Sequence, residues 1–147
     1  LRRILPQAEL SLIEINEESF KTAVQRVNPR YSFNGSVLES NLPAGAFDLV
    51  FTSGVLIHIH PDNLEANCRK MVEYSRQYIL ISEYFNRTPV AIDYRGEKDK
   101  LFKRDFGGFM MDHFPVRWLD YGFLWGREFD PGGFDDCTWW VFEKTGD

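Results

Sequence analysis

Cysteine and histidine are scarce in this sequence, which contains two cysteines and three histidines among 147 residues. Cys68 falls in a predicted helix and Cys137 lies beside a predicted strand, so a disulfide between them has no support. Reduced thiols are usual in the cytoplasm, which is the expected location. Three histidines also restrict the metal sites that the chain can build, because a hydrolytic zinc site needs at least three protein ligands.

An excess of positive charge and a long apolar run are both lacking. The net charge is -5, which argues against a surface that binds nucleic-acid phosphates. No apolar run approaches the ~20 residues of a membrane-spanning helix. The sequence does contain 44% hydrophobic and 16% aromatic residues, enough for one ordinary core. We therefore expect a single domain over residues 1–147, without a nucleic-acid or membrane partner.

Apolar strands alternate with amphipathic helices along most of the chain. The spacing of Phe20, Val24 and Val27 predicts a helix over Glu17–Val27. A second helix is predicted after His60, and a short third one from Asp105 to about residue 112. Residues 1–5 are expected to end a helix that begins upstream. The predicted strands cover residues 9–15, 31–37, 47–51, 78–84, 116–125 and 138–144.

This alternation predicts an α/β fold with a Rossmann-like, mostly parallel sheet. The last two strands have no helix between them, which indicates an antiparallel hairpin at the end of the sheet. Residues 86–100 are charged and are expected to form an irregular, functional lid. In such sheets, ligands bind beyond the carboxyl ends of the strands. Residues 52–60, which follow a strand expected to be buried on both faces, should therefore form the floor and wall of a site.

The segment FDLVFTSGVLIHIHPD, residues 47–62, fits two different chemistries. His58, His60 and Asp62 resemble the metal-binding HxHxDH loop of metallo-β-lactamase-type hydrolases. The same segment is similar to the loop after the fourth strand of class I methyltransferases. The hydrolase motif requires a further histidine at position 63, where this chain has asparagine, and ligands from later loops. We therefore expect no metal at these residues.

Glu14 stands at the end of the second strand of the expected fold. An acidic side chain there can accept hydrogen bonds from both ribose hydroxyls of a nucleotide-like cofactor, and it normally lies about 20 residues after a glycine-rich loop. That loop, and the first strand before it, are expected upstream of Leu1. Taken alone, Glu14 is more simply explained as an exposed glutamate at a strand end. Ser36 and Val37 end the next strand, where a flat heteroaromatic ring with a polar edge would pack.

Five segments together resemble the pseudaminic acid biosynthesis-associated methylases, a family of class I methyltransferases. They are ILPQAELSLIEINEES, NGSVLES, FDLVFTSGVLIHIHPDNL, YILISEYF and KLFKRDFGGFMMDHFP, and they span nearly the whole chain. The resemblance implies S-adenosyl-L-methionine as cofactor and a nonulosonic sugar acid, or its precursor, as methyl acceptor. The residues implied are Glu14 for the ribose, Ser36 and Val37 for the adenine, Thr52, Ser53 and Gly54 for the methionine end, and His58 and His60 beside the acceptor.

Four residues in the second half form a candidate substrate-binding set. If the lid closes over the pocket, Tyr94, Arg95 and Arg104 could reach the acceptor, together with Tyr84 at a strand end. An arginine there would suit a carboxylate or phosphate by bidentate pairing. Each residue also has a simpler interpretation, as a strand-end tyrosine or as part of a solvated charged loop.

The resemblance leads to three further expectations. Glu14 and Ser53 should lie at the same edge of the sheet. Without the first strand, segments 10–15 and 47–51 should either pair directly or be covered in a homodimer. A chain that begins at Leu1 should bind the cofactor weakly, because the glycine-rich loop supplies part of the site. A non-catalytic binding or assembly module with the methyltransferase fold stays open as an alternative.

Overall fold

The computed structural model describes residues 3–129 and 135–146. Contacts within the chain group it into two compact units, Leu1–Leu42 and Pro43–Asp147. The first unit contains strand β1 (Leu12–Glu14), helix α1 (Glu17–Val27) and strand β2 (Ser32–Asn34). β1 and β2 are parallel, with Ile13 opposite Phe33. The unit is therefore a small β-α-β crossover.

Helix α1 has the bounds that its sequence predicts. The Asn16 side chain caps its start by accepting a hydrogen bond from the Ser19 backbone, and Glu17 and Glu18 lie at its positive end. The helix stops at Asn28, whose φ of 47° is left-handed, a conformation that asparagine tolerates. Local signals thus define both ends of α1.

The other elements of the first unit differ from the sequence prediction. β1 and β2 contain three residues each, because each is the other's only strand partner in the described part of the chain. Residues 3–5 form a turn and irregular chain instead of a helix end. Pro6 disfavours helical backbone at the residue before it, which explains this difference. Residues 1 and 2 lie outside the described part.

The second unit begins with β3 (Phe47–Ser53), a 3₁₀ turn (Leu56–His58) and helix α2 (Pro61–Tyr74). It continues through the rest of the chain with strands, one helix and another short turn. These elements are β4 (Ser75–Glu83), β5 (Val90–Tyr94), β6 (Glu97–Lys103), α3 (Phe106–His113), β7 (Val116–Leu124), a 3₁₀ turn (Gly126–Phe129) and β8 (Cys137–Lys144).

Four strands of the second unit form a mixed sheet in the order β3-β4-β8-β7. β3 and β4 are parallel, whereas β8 is antiparallel to both β4 and β7. The predicted antiparallel pairing of the last two strands is thus confirmed. The expected mostly parallel character is wrong for this sheet, because the last strand inserts between β4 and β7 and is antiparallel to both. β1 and β2 form a separate two-stranded sheet.

Helix α2 covers this sheet with the apolar face that its sequence predicts. Leu64, Cys68 and Met71 are buried in one cluster with Ile79 and Ile81 of β4. The apolar residues recur at helical spacing, so one side of the helix can remove them from water. Ser75 follows the helix as the first residue of β4 and is fully buried.

The expected burial of β3 on both faces is wrong. Leu49 is 43% exposed and Phe51 is 47% exposed. Within residues 3–129 and 135–146, β3 pairs with β4 alone and is an edge strand of its sheet. Its apolar sequence is typical of an interior strand, but its neighbours determine how much of it is covered. The covering of segments 10–15 and 47–51, by direct pairing or in a homodimer, stays a prediction, as does the shared edge of Glu14 and Ser53.

The segment predicted to be an irregular lid is instead a regular antiparallel hairpin, β5–β6. At its turn, Arg95 has φ 52° and Gly96 has φ 84°. Two successive positive φ values are typical of a type I′ turn, which matches the twist of hairpin strands. The high charge of this segment concealed the hairpin. No helix in the described residues is long and apolar enough to cross a membrane.

Candidate functional site

The chain turns sharply where β3 ends. Thr52 and Ser53 are the last strand residues, and Gly54 follows with a left-handed φ of 64°. The Gly54 N–H donates to the Ser82 carbonyl oxygen at 2.9 Å. A Cβ at Gly54 would meet no atom within 4 Å. Glycine is therefore favoured here by the backbone conformation alone, and the space beside it is open.

Glu83, the last residue of β4, holds the turn after β3 through hydrogen bonds. Its side chain is 0% exposed, and its carboxylate accepts the N–H groups of Val55 and Leu56, each at 3.1 Å, and of Ile57 at 3.3 Å. Burial raises the pKa of Glu83, and the three N–H donors lower it in part. The buried Thr52 hydroxyl has no well-formed hydrogen bond in the described chain, but its proximity also lowers this pKa. Glu83 therefore holds residues 55–57 in one conformation.

Sequence reasoning missed Glu83. The signal was available, since an acidic residue ends the otherwise apolar strand of YILISEYF. A carboxylate in that position must find donors when the strand is buried, and the nearest unpaired N–H groups are those of the turn after the neighbouring parallel strand.

The two cysteines are free and buried. Burial, and next the nearby Glu83 carboxylate, raise the pKa of the Cys68 thiol to about 12. The same two causes raise the pKa of Cys137. Since the thiolate is the reactive form, neither residue is a candidate nucleophile.

His58 and His60 both contact the β5–β6 hairpin. His58 Nδ1 lies 2.9 Å from the Lys100 carbonyl oxygen, and its ring centroid lies 5.3 Å from that of Tyr94. The His60 ring meets Phe102 edge-on at 5.6 Å. His60 also caps helix α2, because its Nδ1 accepts the Asp62 N–H at 3.3 Å. The turn and the hairpin thus form one packed surface.

Tyr94 and Arg95 belong to the same surface. The Arg95 guanidinium carbon lies 5.2 Å from the centre of the Tyr94 ring, whose neighbour is His58. Arg104 lies at the other end of the hairpin, with its guanidinium carbon 5.5 Å from the Phe109 ring. Of the four predicted substrate-binding residues, Tyr94 therefore contacts His58 directly, and Arg95 contacts Tyr94.

Tyr84 has other partners. Its hydroxyl donates to the Asp135 carboxylate, and the Lys103 ammonium lies 5.0 Å from its ring centre. Burial first, and then the Asp135 carboxylate, raise the pKa of the Tyr84 phenol. The tyrosine is consequently a hydrogen-bond donor and is not suited to act as a base.

The histidine motif does not assemble a ligand cluster in the described chain. His60 Nδ1 lies 3.5 Å from Asp62 Oδ2, but no group of three or more histidine, cysteine or acidic side chains in residues 3–129 and 135–146 could hold an ion. His58 lies in a 3₁₀ turn and His60 at a helix start. The two side chains therefore do not have the regular alternation of residues in a strand. The absence of a metal stays a prediction.

In the first unit, Glu14 ends β1 and is half-buried. Its Oε1 accepts the Asn16 N–H at 2.8 Å, and Oε2 has no hydrogen bond in the described chain. Ser36 and Val37 are half-buried in the turn after β2, where Ser36 Oγ accepts the Leu38 N–H at 3.3 Å. An acceptor oxygen available to a hydroxyl, and an apolar side chain beside a hydroxyl, fit the ribose and adenine of an adenosyl cofactor. The open space beside Gly54 would allow a cofactor to approach the backbone closely.

No protein-family model and no curated protein sequence matches this chain. Solved structures do match. One is the 1,6-didemethyltoxoflavin-N1-methyltransferase of Burkholderia thailandensis, crystallised with its substrate and S-adenosylhomocysteine. It has a TM-score of 0.75 and 16% identity, over 98% of this chain and 65% of that one. The N-methyltransferase NodS of Bradyrhizobium japonicum has a TM-score of 0.72 and 14% identity, over 99% and 79%.

A third match has a different activity in its name. The [4+2]-cyclase SpnF has a TM-score of 0.69 and 10% identity, over 99% of this chain and 70% of that one. At these identities the similarity establishes only the fold. The reaction has to be inferred from the residues of the site. The chain spans about two thirds of the toxoflavin enzyme's length. Its fold is that of the class I methyltransferases.

Proposed function

We propose that the protein transfers a methyl group from S-adenosyl-L-methionine to a small-molecule acceptor. The observation that carries the proposal is the turn after β3, where buried Glu83 holds residues 55–57 and the chain presents the open backbone of Gly54 and the exposed His58. The fold shared with methyltransferases supports the same function. Two free, buried cysteines agree with the proposed cytoplasmic location.

The assignment of cofactor-binding residues follows the motif resemblance. In the first unit, we assign Glu14 to the ribose hydroxyls and Ser36 with Val37 to the adenine. In the second unit, we assign Thr52, Ser53 and Gly54 to the methionine end. When bound, the cofactor supplies a methyl group on a positively charged sulfur, a strong leaving group. The chain's own task is then to align the acceptor and, where the acceptor is protonated, to remove its proton.

The acceptor proposed is an acidic sugar of the nonulosonic type or its precursor. The support is the motif resemblance together with Arg95, whose guanidinium lies against Tyr94 at the tip of the hairpin. A guanidinium held by an aromatic ring has lost part of its freedom and can pair with a carboxylate at lower entropic cost. Tyr94 contacts both this guanidinium and the ring of His58, the proposed base, which supports a role for both residues at the acceptor.

Calorimetric titration of the full-length protein with S-adenosylhomocysteine tests the cofactor assignment. Glu14→Gln should weaken binding about 10-fold, because hydrogen bonds to a charged acceptor contribute ~1.5 kcal/mol or more. Glu18→Gln is the matched control, since Glu18 is an exposed glutamate nearby at the start of α1. Absence of binding, or equal affinity for both variants, would contradict the proposal.

The matched cyclase is named for a reaction other than methyl transfer. Two alternatives therefore also need a test: a non-catalytic binding module and an enzyme that catalyses another reaction. Methyl transfer to N-acetylneuraminic acid and to other sugar acids can be followed by mass spectrometry. Cofactor binding without a mass increase of one methylene in any of these acceptors would favour a binding module. Arg95→Gln should weaken the binding of an acidic acceptor and leave the affinity for S-adenosylhomocysteine unchanged.

A further inference from the structure

We infer that His58 and His60 hold opposite tautomers and therefore perform different tasks at the acceptor. His58 presents an unprotonated Nε2 that can take a proton, whereas His60 presents an Nε2–H that can donate a hydrogen bond. The catalytic consequence rests on the proposed function. The tautomers themselves follow from the hydrogen bonds that the two Nδ1 atoms make.

For His58 the partner of Nδ1 is a carbonyl oxygen, that of Lys100 at 2.9 Å. A carbonyl oxygen can only accept, so Nδ1 must carry the hydrogen. A neutral imidazole has one N–H, which leaves a lone pair on Nε2. The protonated ring keeps the same Nδ1–H. His58 can therefore gain and lose a proton at Nε2 without breaking its bond to the hairpin.

For His60 the partner of Nδ1 is a donor, the Asp62 N–H at 3.3 Å, in the N-cap position of α2. Nδ1 must then supply a lone pair, and the hydrogen of the neutral ring lies on Nε2. Protonation of Nδ1 would remove this cap contact. The Asp62 carboxylate, 3.5 Å away, is 87% exposed and would compensate little. His60 therefore offers an N–H at Nε2 and not a lone pair.

The two tautomers suit an acceptor hydroxyl or ammonium with a second oxygen beside it, as on a sugar. At a hydroxyl acceptor, the proton would pass to His58 Nε2 while the bond between the methyl carbon and the acceptor oxygen forms and the carbon–sulfur bond breaks. An ammonium has no lone pair and would first lose its proton to His58 Nε2. The electron pair of the broken bond would stay on the sulfur, and the imidazolium would release its proton to water. His60 Nε2–H donates to the neighbouring oxygen and orients it.

Nitrogen-15 NMR of the labelled full-length protein tests the tautomers directly. At about pH 8.5, where imidazoles are ordinarily neutral, correlations between ring carbon-bound protons and both nitrogens distinguish the protonated nitrogen from the unprotonated one. His58→Asn and His60→Asn assign the signals. Each asparagine also places an amide group near the former Nδ1, as donor to Lys100 or as helix cap. We expect protonated Nδ1 in His58 and protonated Nε2 in His60; the same tautomer in both would overturn the inference.

Diethyl pyrocarbonate, which reacts with unprotonated imidazole nitrogen, provides a second readout by peptide mass spectrometry. Both rings are exposed, so a difference in rate reflects the availability of a lone pair. His58 should be modified several-fold faster than His60, and equal or reversed rates would contradict the assignment. Neither readout needs cofactor or acceptor. Failure to bind S-adenosylhomocysteine would therefore refute the proposed function without deciding the tautomers.

Discussion

Glu83 and Glu14 both end a parallel strand, yet their surroundings differ in almost every respect. Glu83 is 0% exposed and accepts three backbone N–H groups from the turn after β3. Glu14 is half-buried and accepts one, from Asn16. Both oxygens of the Glu83 carboxylate accept hydrogen bonds within the fold, whereas Glu14 keeps one oxygen for another partner. A glutamate at a strand end can thus either stabilise the fold or bind a ligand, depending on the hydrogen-bond donors beside it.

Substitution of Glu83 should have the largest effect on stability. In Glu83→Gln an amide NH₂ replaces one oxygen and faces a backbone N–H, so a buried donor loses its acceptor. We expect the free energy of unfolding to fall by about 2 kcal/mol. Urea denaturation measures it, with Glu97→Gln on exposed β6 as control. Equal stability of the two variants would mean that Glu83 does not hold the turn.

The pH dependence of this difference gives a second test. Burial raises the pKa of Glu83 above its usual 4.5, so the folded protein binds this proton more tightly than the unfolded chain does. The stability that the proton provides is complete below pH 4.5 and is lost as pH rises through the raised value. The advantage of the wild type over Glu83→Gln should therefore shrink as pH increases in that window. An advantage that grows with pH would contradict the raised pKa.

Gly54 and Gly45 allow a matched comparison of strain with function. Both have left-handed φ values, 64° and 61°, and a Cβ at either would meet no atom within 4 Å. Alanine at each should cost about 1 kcal/mol of stability, through the backbone alone. Only Gly54→Ala should also weaken binding of S-adenosylhomocysteine in calorimetry. Equal loss of binding in both variants would remove Gly54 from the proposed site.

Glu14→Gln should have the smallest effect on stability. Glu14 is only half-buried, and Gln keeps an oxygen that can accept the Asn16 N–H, so the change in unfolding free energy should stay within about 0.5 kcal/mol. Thermal denaturation without ligand measures it. A larger loss would show that Glu14, like Glu83, serves the fold.

Sequence patterns predicted the elements whose signals are local. Helix α1 shows its cap at Asn16 and its apolar face, α2 begins at Pro61, and Asp105 caps α3 by accepting the Gly108 N–H. The antiparallel pairing of β7 with β8 followed from the missing helix between them. These features depend on a few consecutive residues, which is why a single sequence reveals them.

The features that sequence reasoning missed depend on distant partners. The exposure of β3 reflects which strands lie beside it, and the role of Glu83 requires the N–H groups of residues 55–57. The β5–β6 hairpin was concealed because Arg95 occupies a left-handed turn position that asparagine or glycine usually fills. The contacts of His58 with Lys100 and Tyr94 also join segments far apart in the chain.

The insertion of β8 between β4 and β7 has a consequence for synthesis on the ribosome. β4, with Ile79 and Ile81 fully buried, finds its partner on that side only when residues 137–144 have emerged. Until then the nascent chain carries an open, apolar strand edge, of the kind that pairs with other chains. Truncation or slow translation before β8 should therefore make the protein aggregate, and chaperones that bind extended apolar segments have a defined target in β4.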